Sequence, residues 1–279
     1  METLTLEASG FTFDALAAGP ADGRVVLLLH GFPQTGRSWR AVAGRLAEAG
    51  YRAVAPDLRG YSPSARPERV EDYASAALAA DVAGFADALG AERVDVAGHD
   101  WGAAVAWQAA ARAPERIRSL TAVSIPHPLA FAEALRTDPD QRERSAYFVL
   151  FRQEGKAEEV LSRDGWRALR AMYQGKVPDE DVEHYVRVLS DGGGLTAALN
   201  YYRAAGRDDL KGLGEIRAPT LYVWSTEDIA VGRAAAEATA PYVTAAPYRF
   251  VELEGVTHWI PDEAPDDLAG ALIDHLGAS

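Results

Sequence analysis

Asp100 stands between two glycines in Gly98-His99-Asp100-Trp101-Gly102, after the apolar run Val94 to Ala97 and before the alanine-rich segment Ala103 to Ala113. An apolar run that packs as a buried strand, two glycines around a polar residue, and then helix-forming sequence describe a strand-to-helix turn too sharp for a side chain at either flank. Turns of this shape present nucleophiles, most often serine. Here the residue is a carboxylate. A carboxylate can attack an electrophilic sp³ carbon, in an epoxide or bearing a halogen, and form an alkyl ester. An aspartate serving only as a helix N-cap gives the same local sequence, so the chemistry depends on partners elsewhere in the chain.

In an open parallel sheet the carboxyl ends of the strands converge on one crevice. Asp100 ends the Val94 strand, Asp228 lies just beyond the strand Thr220 to Trp224, and His258 lies just beyond Tyr248 to Leu253. Nucleophile, acid, histidine is the chain order of strand-end triads in parallel-sheet hydrolases. His258 is the expected base for a water molecule, and Asp228 its orienting acid, with Glu227 ranked second. His30 and His99 sit within turn motifs and are expected to brace them. His127, His184 and His275 fall at the start of the helical region, within it and on the last helix. The end of the Leu120 strand offers Ser124 and His127 but no carboxylate, so the acid is not expected there. His30-Gly31-Phe32-Pro33 follows another buried run, Val25 to Leu29. Its glycine lets the chain turn so that the Phe32 N–H, with that of Trp101, can face an oxyanion.

The elements needed to position these groups follow from the pattern. The continuous apolar run Val25 to Leu29 reads as a strand buried on both faces, and Ala53 to Ala55, Val94 to Ala97, Leu120 to Ile125, Thr220 to Trp224 and Tyr248 to Leu253 read as further strands. Residues 11 to 16 alternate as an exposed strand. Helical patterns fall at Trp39 to Ala49, Tyr73 to Leu89, Arg233 to Ala240 and Asp266 to Leu276. This alternation predicts an α/β fold with a mostly parallel sheet flanked by helices. From Pro126 to about Gly214 strand signals vanish, and the stretch reads as an all-helical insertion broken at Asp191-Gly192-Gly193-Gly194. The expected division is a core of residues 1–127 and 215–279 and a cap of residues 128–214.

Composition narrows the classes of function. The 279 residues are 48% hydrophobic and 25% charged, as in ordinary globular proteins. A net charge of -13 argues against nucleic acid and anionic lipid as partners. Cysteine is absent, which removes disulfides, thiolate nucleophiles and cysteine-ligated metals. Met1-Glu2-Thr3-Leu4 begins without the basic residues and apolar core of a signal peptide, and no stretch approaches the length of a membrane span, so the cytoplasm is the expected location.

From about Leu27 to the C-terminus the sequence resembles the epoxide hydrolases of the α/β-hydrolase fold, relatives of the haloalkane and haloacid dehalogenases. The resemblance rests on HGFP at 30 to 33, Asp57-Leu58-Arg59-Gly60-Tyr61-Ser62, GHDWG at 98 to 102, and His258-Trp259-Ile260-Pro261-Asp262-Glu263-Ala264-Pro265. It implies two cap tyrosines whose hydroxyls hydrogen-bond the epoxide oxygen, an alkoxide being a poor leaving group without a proton. One is Tyr147, eight residues before the glycine of Gly155-Lys156-Ala157-Glu158. The other is the tyrosine of Asn200-Tyr201-Tyr202-Arg203, which gives Tyr202. Tyr201 stands where the family has tryptophan, so either neighbour could face the site, consecutive helical residues being about 100° apart. The implied reaction opens an epoxide to a vicinal diol without cofactor or metal. The implied partners are a small apolar epoxide and water, and a homodimer is the candidate assembly. In the alternative, halide displacement, the Trp101 indole would hold the halide with Trp166 as second donor. A vestigial small-molecule receptor is a further alternative.

Overall fold

The computed structural model describes residues 1–211 and 213–279, at 207 and 208 the backbone alone. Eight strands form one sheet in the order β1-β2-β4-β3-β5-β6-β7-β8. The chain enters through β1 (Glu2–Ala8) and β2 (Phe11–Ala18), both antiparallel to their neighbours, and every later pairing is parallel. Next come β3 (Val25–Leu29), α1 (Arg40–Glu48), β4 (Arg52–Pro56), α2 (Ser75–Ala88), β5 (Val94–His99), α3 (Trp101–Arg112) and β6 (Ile117–Val123). Among the described residues six α-helices intervene before the sheet resumes: α4 (Pro128–Thr137), α5 (Pro139–Arg144), α6 (Phe148–Phe151), α7 (Lys156–Met172), α8 (Asp179–Ser190) and α9 (Gly194–Ala204). The chain closes with β7 (Thr220–Glu227), α10 (Arg233–Glu237), β8 (Tyr248–Thr257), α11 (Ile260–Glu263) and α12 (Pro265–Gly277).

β3 accounts for the two-sided core. Its side chains alternate, so Leu27 and Leu29 join the cluster under α2, α3 and the inserted helices, while Val26 and Leu28 join the one under α1 and α12. All four are fully buried, and each contributes about 1.5–3 kcal/mol of hydrophobic stabilisation.

Several elements differ from the sequence reading. β1 was not expected, and because it covers one side of β2, the strand read as exposed is internal. β6 stops at Val123 because Ser124 takes a positive φ of 70° and leaves the sheet. β7 and β8 run on to Glu227 and Thr257, so Asp228 and His258 follow their strands directly. α7 is broken at residues 163–166, where Asp164, Gly165 and Trp166 are left-handed. The expected break at 191–194 separates α8 from α9. Among the described residues no helix is long and apolar enough to cross a membrane.

Candidate active site

The β5–α3 turn places Asp100 at φ 53° and ψ -123°, a conformation that costs a non-glycine residue about 1–3 kcal/mol. Its glycines are sterically required. A Cβ on Gly98 would lie 2.1 Å from the Gly102 carbonyl oxygen, and one on Gly102 would lie 2.0 Å from that of Leu29. Gly31 has the same role in the facing loop, where a Cβ would meet the Asp100 side chain at 2.3 Å. That close approach lets the Phe32 N–H donate to Asp100 Oδ1 at 2.8 Å. Trp101 is the first residue of α3, so its N–H has no intrahelical carbonyl four residues back.

His258 Nε2 lies 3.6 Å from Asp100 Oδ2. On its other side, Nδ1 is 3.0 Å from Asp228 Oδ1 and 3.1 Å from Oδ2. Burial opposes a charge on His258, but Asp228 and then Asp100 outweigh it and raise the imidazole to about 10. Burial likewise works against the Asp228 carboxylate, yet His258, Ser124 and the Ala230 N–H hold it below its ordinary value. Glu227 is exposed and makes no hydrogen bond to His258 among the described residues. His30 and His99 are pushed down to about 4 by burial and brace turns as expected. His30 Nε2 accepts from the Leu58 N–H, and His99 Nε2 bonds the His258 carbonyl. His127 caps α4 by accepting from the Leu129 N–H.

The Tyr201 ring borders the cavity and packs on Trp101 at 5.5 Å, but its hydroxyl is engaged in donating to the Arg59 carbonyl at 2.9 Å. The Tyr202 ring packs edge-on against Trp101 at 5.0 Å and Phe32 at 5.4 Å, and lies 6.0 Å from the Tyr147 ring. Burial, and then for Tyr147 the Asp100 charge, raise both phenols well above their ordinary value, Tyr202 also feeling Tyr147. Both therefore stay protonated as donors at neutral pH. Trp166, in the break of α7, does not line the cavity above Asp100.

Ser124 was overlooked as part of this arrangement. Its Oγ donates to Asp228 Oδ2 at 2.6 Å and lies 3.0 Å from His258 Nδ1. The left-handed backbone that ends β6 aims it there, and its carbonyl is fixed by the Tyr222 hydroxyl at 2.7 Å. Oδ1 of Asp228 already accepts from the N–H groups of Ala230 and Val231, whereas Oδ2 has only Ser124 and His258. Ser124→Ala should leave Asp228 more basic and hold the His258 proton more tightly. We expect hydrolysis of a covalent intermediate to slow about tenfold at pH 7, within the contribution of a hydrogen bond to a charged group. Its acid limb should move to higher pH while the alkylation rate is unchanged. Single-turnover kinetics across pH would measure both.

The Asp228 loop is also gripped from the insertion. Gln141 on α5 donates to the Ala230 carbonyl at 2.8 Å and accepts from the Gly232 N–H at 2.9 Å. Arg144 donates to the Asp228 carbonyl and to Asp140. Above Asp100 lies a cavity of about 470 Å³ lined by Tyr147 and mostly apolar side chains. Among the described residues no group of histidine and carboxylate side chains is arranged to hold a metal ion.

The alpha/beta hydrolase fold family model matches residues 24–265. Epoxide hydrolase A of Mycobacterium tuberculosis is 32% identical over 314 residues, spanning 97% of this chain and 96% of that protein. The crystal structure of epoxide hydrolase A from Mycobacterium thermoresistibile superposes with a TM-score of 0.87 at 30% identity, covering 99% of this chain and 98% of that one. A mutant epoxide hydrolase from Bacillus megaterium, complexed with its product (R)-3-[1]naphthyloxy-propane-1,2-diol, gives 0.87 at 26% identity, with coverage of 98% and 100%.

Proposed function

The chain belongs to the alpha/beta hydrolase fold family, and from that premise we propose that it is an epoxide hydrolase yielding vicinal diols through a covalent Asp100 ester. The observation that carries this reading is the pair of phenols, Tyr147 and Tyr202, whose rings lie 6.0 Å apart with Tyr202 packed at 5.0 Å on the Trp101 that follows a carboxylate where hydrolases of this shape carry serine. The epoxide and diol names of its relatives agree with it.

In the first step an Asp100 oxygen attacks one ring carbon and the C–O bond breaks. The phenols hydrogen-bond the departing oxygen and supply its proton. Esterification also removes the Asp100 charge, one of the two that hold a proton on His258. His258 therefore becomes a competent base as the ester forms, and the proton it sheds balances the one taken by the alkoxide.

In the second step His258 takes a proton from water, which attacks the ester carbonyl carbon. Asp228 orients the imidazole and balances its charge. The N–H groups of Phe32 and Trp101 hold the oxyanion, worth about 10²–10³ in rate per donor. Expulsion of the alkoxide, protonated by His258, releases the diol and leaves Asp100 as the acid, whose proton then passes to His258 and restores the resting pair. Residues 128–214 act as the cap that supplies the phenols and excludes bulk water.

The direct test compares 1,2-epoxyhexane with 1-bromohexane. Conversion of the first to hexane-1,2-diol, without bromide release from the second, is the expected result. Bromide release without diol would replace this reading by dehalogenation, and inertness toward both would favour a vestigial receptor.

A further inference from the structure

The cavity above Asp100 extends to one side only. Along α3 its wall is Trp101, Ala104, Val105 and Gln108, and along α4 it is Pro128, Phe131, Ala132 and Leu135. Both sets follow the i, i+3, i+4, i+7 spacing of a single helix face. The groove between them runs seven residues from the start of α3, about 10 Å at 1.5 Å per residue. At its far end the Gln108 amide is spent on the Asp209 carbonyl and the Arg112 guanidinium.

The cavity does not reach the β3 side of the nucleophile. The loop at 30–37, α7, α8 and the turn at 258–263 contribute nothing to the cavity wall. The space is filled by Phe32, Phe151 and Tyr202, whose ring centroids lie 4.9–5.4 Å apart and whose side chains are almost completely buried. Phe151 is the wedge of this cluster, since Phe32 and Tyr202 are tied to the reacting groups.

We infer that the enzyme takes epoxides substituted on one carbon, with an apolar tail lying in the α3–α4 groove, and that Phe151 excludes trans-disubstituted epoxides. This rests on the epoxide reading above. The two substituents of a trans epoxide leave the ring in opposite directions, so one of them must enter the space that Phe151 fills. A monosubstituted epoxide presents its unhindered CH₂ to Asp100 and needs only the open arm.

Isomeric substrates of equal carbon number test this. The kcat/KM for 1,2-epoxyoctane should exceed that for trans-4,5-epoxyoctane at least 100-fold. Phe151→Ala should narrow that ratio at least tenfold by raising the rate on the trans isomer. Because that variant could disturb Tyr202, a second one acts on the open arm. Ala132→Trp should lower the ratio of kcat/KM for 1,2-epoxyoctane to that for 1,2-epoxypropane at least tenfold, a contrast that misfolding cannot produce. Equal turnover of the two octane epoxides by the wild type, or uniform loss on long and short epoxides in Ala132→Trp, would overturn the inference. Failure to turn over any of the three epoxides would overturn the epoxide reading itself.

Discussion

His258→Gln should convert the protein into a trap. Mixed with an epoxide, the variant is expected to gain the whole epoxide mass at Asp100, one equivalent per chain, and then to stall. Glutamine preserves size and polarity but cannot take a proton from water, so the second step should slow about 10²–10⁴-fold, the usual contribution of a positioned base. The first step needs no base and should persist. Intact-mass analysis after seconds and hours, followed by peptide mapping, would read the outcome. An unlabelled but folded variant would remove Asp100 from the role of nucleophile.

The wild-type pH dependence of the two steps follows from the same geometry. In the resting site Asp228 and Asp100 raise His258 to about 10, so the imidazole is cationic at neutral pH. In the ester only Asp228 remains charged, and the value falls toward that of an ordinary imidazole. A base must be neutral, so hydrolysis is expected to weaken as pH drops through the ester-state value, whereas alkylation needs no base. The covalent intermediate should therefore accumulate in mild acid even in the wild type.

Removing both phenols should have an effect of similar size on the other half of the reaction. Tyr147→Phe with Tyr202→Phe keeps the ring packing against Phe32, Trp101 and Phe151, so the cap should stay in place. Without either proton donor the opening oxygen departs as a bare alkoxide, and alkylation by an epoxide should fall about 10²–10⁴-fold. Each single variant should lose less, because the remaining hydroxyl still reaches the oxygen. Alkylation monitored by intact mass in a His258→Gln background isolates this step. Undiminished alkylation in the triple variant would refute the role given to the phenols.

The Asp100 turn was readable in the sequence because its requirements are local. Gly98, Gly102 and Gly31 are needed wherever backbone approaches within about 2 Å of a would-be Cβ, and buried strands of a parallel sheet announce themselves as unbroken apolar runs. Asp228 and His258 were readable because strand ends in such a sheet converge whatever lies between them. Ser124 was not readable. Its function depends on a left-handed backbone that breaks the strand pattern, and on a hydroxyl bridging two residues more than 100 positions away. The choice between Tyr201 and Tyr202 was hidden for a related reason. It depends on the rotation of α9 over the core, which is set by the Arg59 carbonyl accepting from one hydroxyl. The break in α7 is also silent in the sequence, since two of its three left-handed residues are Asp164 and Trp166.

The grip of α5 on the Asp228 loop has an evolutionary consequence. Three backbone groups of that loop, at residues 228, 230 and 232, find their partners in Gln141 and Arg144 rather than in the sheet that carries Asp228. The orienting acid is thus inherited from one part of the gene and its support from another, nearly 90 residues upstream. A chimera that exchanges the inserted helices for those of a relative would keep every residue of the triad, yet would keep Asp228 in place only if the donor α5 offered the same two side chains.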